Sequence, residues 1–167
     1  MKIAMPLKRI ALGLFAIAAL IGALIAIEYS GGHPMGLFSG SRPDGLGFNN
    51  GQFKAPPWKP NCVSSTVDKS DTKHYIAPLA FSGDAASAWL KLVGTVKAQP
   101  NTAVIKEQPD YLYAEFKSAG LGFVDDVEFA LDAKAGVVQV RSASRLGIRD
   151  FGVNRKRIEN LRAQFRG

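Results

Sequence analysis

Alternation along Phe123 to Leu131 leaves Asp125 alone on a strand face with Phe123, Val127, Phe129 and Leu131. A carboxylate in such company is either paired or chemically poised, because an isolated buried charge is costly. If residues 118 to 122 close a hairpin with the preceding run, Glu115 lies opposite Asp125, Tyr113 opposite Val127 and Tyr111 opposite Phe129. If residues 133 to 136 close the next hairpin, Ser144 faces Asp125, and Ser142 and Val140 continue that column. The opposite face then pairs Glu128 with Arg141 and carries Asp126 and Arg145. Turn length decides all of this, since a one-residue slip sends every side chain to the other face.

Two adjacent carboxylates need a counter-charge to remain ionised. Arg145 or Arg155 can reach over as an ion pair, with Asn154 and the serines donating hydrogen bonds. Alternatively one carboxylate stays protonated and acts as an acid or base, or a hard cation such as calcium sits between them. Most buried carboxylates in ordinary domains are simply paired, so a structural network is expected. In the enzyme alternative, Glu115 and Asp125 serve as acid and base, and Arg145 clamps an anion.

The single cysteine, Cys62, excludes an intramolecular disulfide. Nucleophilic catalysis would need a base, and His33 and His74 are the only histidines, neither in a recognisable context. Cys62 therefore reads as a small buried apolar residue, and a reactive thiol is the alternative. Zinc binding fails on ligand count, and no metal or cofactor is implied.

The elements that must hold these groups follow from periodicity. Tyr75 to Phe81 is a short strand candidate. Ser82-Gly83-Asp84 supplies capping side chains for a helix over Ala85 to Lys97, with Ala86, Trp89, Val93 and Val96 on one stripe. Thr102 to Glu107, Tyr111 to Lys117, Phe123 to Asp132 and Val137 to Arg145 read as four strands joined by glycine-containing turns. Asn154 to Arg166 reads as a helix with Ile158, Leu161 and Phe165 inward, and with Arg155, Glu159, Arg162 and Arg166 opposite. The expected fold is α+β: an antiparallel sheet of about four strands, with helices packed on one face.

Upstream lies a different kind of segment. Ile10 to Ile27 is eighteen residues without a charge, behind Lys2, Lys8 and Arg9. At helical rise it spans about 27 Å, close to a bilayer's hydrocarbon core. The run is longer than a secretory signal's and lacks a good cleavage site, so an uncleaved transmembrane helix is expected. No basic residue follows until Arg42, which keeps the N-terminus in the cytoplasm and sends the rest across. The chain thus divides into a basic tail (1–9), an anchor (10–28), a linker or strap (29–61) and an α+β extracytoplasmic domain (62–167). Residues 31 to 61 hold seven Gly and five Pro, yet also Phe38, Phe48, Phe53 and Trp58, so partial docking on the domain is expected.

The formal charge is +7, concentrated toward the end: from Arg141 onward seven Arg and one Lys stand against Asp150 and Glu159. Such a block suits anionic lipid headgroups. Nucleic acid is not indicated, because no aromatic–basic interleaving is present.

Asn61-Cys62-Val63-Ser64-Ser65, Tyr111 to Phe116, Phe123 to Phe129, Val140 to Gly147 and Asp150 to Arg157 resemble, in order, the signature blocks of domain-of-unknown-function family 1499 (DUF1499). The resemblance spans about residues 41 to 165. It implies a bacterial membrane or exported protein and, for the anchor, the cytoplasmic (inner) membrane. It implies little about activity. It places Cys62, Glu115, Asp125, Asp126, Glu128, Arg141, Ser142, Ser144, Arg145, Asp150, Asn154 and Arg155 inside motif blocks. The function expected is that of a membrane-anchored envelope protein with a non-catalytic binding or structural domain, its partner an envelope protein or a small ligand. The alternatives are a periplasmic enzyme using Glu115 and Asp125, or a lipid-surface module using the C-terminal arginines.

Overall fold

The structure, a computed structural model, describes residues 38–166. The expected tail (1–9) and anchor (10–28) lie outside the described residues. Among the described residues no helix is long and apolar enough to cross a membrane.

The chain first makes a small hairpin from β1 (Phe48–Asn49) and β2 (Gln52–Phe53). Its turn is Asn50-Gly51, with φ of 52° and 77°, the left-handed pair that a two-residue hairpin of this twist demands. The main sheet has six strands, not about four. β5 (Thr102–Glu107), β6 (Tyr111–Lys117), β7 (Val124–Asp132) and β8 (Val137–Ser144) form an antiparallel meander. β3 (Cys62–Ser64) and β4 (Leu79–Ala80) pair with the two ends of the free edge of β8. At three residues β3 is too short to leave an alternation in the sequence, and of the strand candidate Tyr75 to Phe81 only Leu79–Ala80 is strand, with Tyr75 making an isolated bridge to Ser64.

Two helices cover one sheet face. α1 (Ala85–Lys97) starts at Asp84, whose carboxylate accepts the Ser87 N–H at 2.7 Å. It buries Ala88, Trp89, Leu92, Val93 and Val96, while Ala86, assigned to the stripe from sequence, is exposed. α2 (Val153–Arg166) buries Ile158, Leu161 and Phe165 as expected. Arg162, placed outward by periodicity, is instead buried and donates to the Ala77 and Pro78 carbonyls, both at 2.6 Å. Its long stem lies along the core while its head ties the residues before β4 to the helix. Leu112, Ala114, Phe116, Val127, Phe129, Val138 and Val140 complete this core from the sheet side.

The strap covers the other face. Phe53, Leu46 and Phe48 pack on Tyr111, Tyr113 and Ala130, so residues from 38 onward belong to the same compact unit as the sheet.

The β7–β8 register is as expected: Asp125 pairs with Ser144, Val127 with Ser142 and Glu128 with Arg141. The β6–β7 register is one residue away from expectation. Glu115 lies opposite Asp126, Tyr113 opposite Glu128 and Tyr111 opposite Ala130. The turn holds residues 118–123 rather than 118–122, because Phe123 leaves the strand to stack on Phe38 with ring centroids 5.0 Å apart.

Candidate functional site

The extra turn residue separates the two carboxylates that would have formed a dyad. Asp125 stays on the helix-covered face, and Glu115 joins Asp126 on the face beneath the strap. Glu115 and Asp125 are therefore not brought together, and the acid–base pair built on them does not exist.

Under the strap the polar groups form two sets. In the first, fully buried Glu128 accepts from Arg141 Nη1 at 3.0 Å, Tyr111 Oη at 2.8 Å and the Gly47 N–H at 2.7 Å. Arg141 Nε in turn donates to the Lys54 carbonyl at 3.0 Å, so both members of the pair also hold the strap. In the second set, Asp126 accepts from Arg145 Nε at 3.0 Å, Arg145 Nη2 at 2.7 Å and Tyr113 Oη at 2.5 Å. Arg145 Nη2 also bonds Glu115, which receives Arg42 Nε from the strap at 2.7 Å.

These contacts fix protonation. Burial alone would raise the Glu115 carboxyl, but hydrogen bonds from Arg42 and Arg145 outweigh it and hold the group below its ordinary value. Tyr113 is pushed upward, first by burial and then by its bond to Asp126. Tyr111 moves the same way through burial and the Glu128 charge. Burial would lower Arg145, yet Asp126 and Glu115 raise it overall. Glu115 is held as an anion, the two phenols are donors, and none of these three is disposed to exchange protons near neutral pH.

On the helix side, Asp125 is bonded by Arg157 Nη2, and the same guanidinium lies 4.9 Å over the Phe116 ring. Arg157 Nη1 also donates to Asn154 Oδ1 at 2.7 Å and to Ser142 Oγ at 3.0 Å. Ser142 Oγ donates to Asn154 Oδ1 at 2.5 Å. Asn154 Nδ2 reaches Ser144 Oγ at 2.8 Å, Asp150 Oδ2 at 2.9 Å and the Asn61 carbonyl at 3.2 Å. Asp150, Ser142, Ser144 and Asn154 thus stand together in one hydrogen-bonded group.

Arg155 does not join them: it reaches the Lys73 carbonyl at 3.2 Å, on the outside. Arg157 was not among the residues singled out from sequence. Its signal was present, since position 157 shares the inward stripe with Leu161 four residues on.

Cys62 is 2% exposed, and burial pushes its thiol up to about 11. His74 cannot serve it as a base, because its ring nitrogens face Asp71 Oδ2 at 2.8 Å and the Lys59 carbonyl at 3.1 Å. Among the described residues, no group of three or more His, Cys, Asp or Glu is placed to hold a metal ion.

Between strap and sheet lies a cleft of about 300 Å³, lined by Ser41, Lys54, Asp126, Arg141, Ser144 and Arg145 among others. The guanidiniums among its lining residues are already paired, Arg141 with Glu128 and Arg145 with Asp126 and Glu115. Beside Ser144, the Asn61 side-chain oxygen is buried without a partner, while its nitrogen donates to the Gly147 carbonyl at 3.0 Å.

Nothing among curated proteins or solved structures matches the chain. The family described as "Protein of unknown function (DUF1499)" matches residues 52–165, which include all the ion pairs above except the Arg42 contact. With most of its length so matched, the chain belongs to the DUF1499 family.

Proposed function

We propose that this chain is a single-pass envelope protein of the bacterial cytoplasmic membrane, with an extracytoplasmic domain that binds or scaffolds and does not catalyse. The observation that carries this reading is the pairing of four candidate carboxylates with guanidiniums: Asp125 with Arg157, Asp126 and Glu115 together with Arg145, Glu128 with Arg141. A carboxylate neutralised at contact distance is a poor base, and each of these pairs joins separate strands, or a strand and a helix. The cleft of about 300 Å³ between strap and sheet has room for a small ligand or a side chain of an envelope partner. The charge-free run from Ile10 to Ile27 supports the anchor, and the basic residues before it support the orientation.

Two measurements test the reading. The full chain fused at its C-terminus to alkaline phosphatase should be active in a bacterial host and stay in carbonate-washed membranes, while a green fluorescent protein fusion stays dark. A soluble, fluorescent fusion overturns the anchor. Asp126→Asn should lower the melting temperature of the domain. An unchanged or raised melt would mark a carboxylate held under strain for chemistry, and would overturn the non-catalytic assignment.

A further inference from the structure

Exposed apolar side chains gather at one end of the sheet. Leu121 and Phe123 stand in the β6–β7 connection, and Leu146, Ile148 and Phe151 in the connection from β8 to α2. The two connections adjoin, with the Arg145 N–H donating to the Val124 carbonyl at 3.1 Å. The strap begins there too. Phe38 stacks on Phe123, and a Cβ on Gly40 would come within 3.1 Å of Leu146 Cγ. Together they form one rim.

Phe151 is the most telling member. It is 94% exposed, and its φ of 53° is a conformation that bulky L-residues seldom adopt. Asp150 fixes the turn around it, accepting the Gly152 and Asn154 N–H groups, each at 3.0 Å. An aromatic ring held outward by an uncommon backbone is a group presented to something.

Connectivity and charge indicate what that is. The described chain starts at Phe38, in the rim itself, and the charge-free run ends at Ile27, eleven residues earlier. A tether of that length reaches at most ~38 Å. Exposed Arg149 and Lys156 flank the apolar side chains, and between Ser144 and Glu159 the sole acidic residue is Asp150, already engaged by the turn. Aromatic and aliphatic side chains edged by cations are the chemistry of an anionic bilayer's interface.

We propose that this rim is a second membrane contact. Leu121, Leu146, Ile148 and Phe151 enter the headgroup–acyl boundary, and Arg149 and Lys156 pair with anionic headgroups. The contact rests on the anchored reading above, which it deepens by docking the domain against the sheet of lipid that holds it.

The test uses the full chain in a Cys62→Ser background, with an environment-sensitive dye on Phe151→Cys. A dye on Lys134→Cys, in the β7–β8 turn at the far end of the sheet, is the control. The protein is incorporated into phosphatidylcholine vesicles with and without phosphatidylglycerol. At position 151 the dye should brighten at least ~3-fold with phosphatidylglycerol present and be quenched by brominated acyl chains; at 134 it should do neither. Leu146→Asp with Ile148→Asp should remove the quenching while the chain still floats with vesicles. A chain that floats but leaves position 151 open to aqueous iodide overturns the rim contact and spares the anchor. Shielding from iodide without quenching by lipid bromines means that protein covers the rim, residues 10–28 or a second copy, and also overturns it. A chain that does not float overturns both.

Discussion

Arg145 bonds Glu115 on β6 and Asp126 on β7 through a single nitrogen, Nη2, across two residues that face each other in register. Its side chain is 5% exposed. Removing it leaves two like charges adjacent beneath the strap. Arg145→Met should therefore cost about 3–5 kcal/mol, read as a lower urea midpoint at unchanged slope. Arg145→Lys should recover only part of the loss, because an ammonium cannot keep the forked contact to Asp126. A midpoint unmoved by Arg145→Met would mean that Arg42 alone compensates both carboxylates.

The Glu128–Arg141 pair is more deeply enclosed than strand alternation suggested. Its side chains are 0% and 5% exposed, because the strap closes over them. Either Glu128→Gln or Arg141→Met should destabilise by about 3–5 kcal/mol, since each strands the other partner. The double variant should cost clearly less than the sum, the shortfall measuring the pair itself. Strict additivity in denaturant melts would show that the strap contacts of Gly47 and Lys54, and not the ion pair, carry the energy.

Much of the fold was legible because its elements are long and amphipathic. The bounds of α1, β5 and β6 follow from periodicity and capping alone, and the four strands of the meander with the two helices on one face were readable as a set. β3 was not, being too short to alternate, and of the strand candidate Tyr75 to Phe81 only Leu79–Ala80 forms β4. The β6–β7 register failed on one residue: Phe123 continues the apolar alternation of β7 in sequence, yet its ring finds Phe38 and so belongs to the turn. A contact 85 positions away in the chain has no local signature. That slip moved Glu115 from Asp125 to Asp126, while the β7–β8 pairings survived because the turn at residues 133 to 136 has the length that Gly136 suggested. Arg157 was passed over since an arginine on an inward stripe reads as a surface residue until a buried carboxylate is known to await it.

Acid should weaken the domain through Glu115. Its carboxyl is held below the ordinary value of 4.5 in the fold, against the pull of burial, by Arg42 and Arg145. A depressed folded value means that the contribution is fully present above the unfolded value, and is lost as pH falls through the folded one. Melting temperature should hang level from neutral pH to about 5 and then fall below ~4.5. Arg42→Ala should flatten part of that fall, because one of the two guanidiniums holding Glu115 is gone. An acid limb identical in Arg42→Ala and the parent would assign the acid sensitivity to other carboxylates.

Cys62 should be inert while the domain is folded. Only a thiolate reacts readily, and with the thiol pushed up to about 11 the ionised fraction at pH 8 is of order 10⁻³. Burial blocks the reagent as well, and His74, bound on both sides, offers no base to draw off the proton. Labelling by N-ethylmaleimide should be at least ~100-fold slower in buffer than in denaturant, and its rate should track unfolding as urea is added. Cys62→Ser should leave any binding function intact, since the side chain makes only a weak contact to the Val63 carbonyl at 3.8 Å. Fast labelling of the folded chain would require Cys62 to be reached by a local opening, and the place to seek it is β3, only three residues long and held on its second edge by a single bridge, Ser64 to Tyr75.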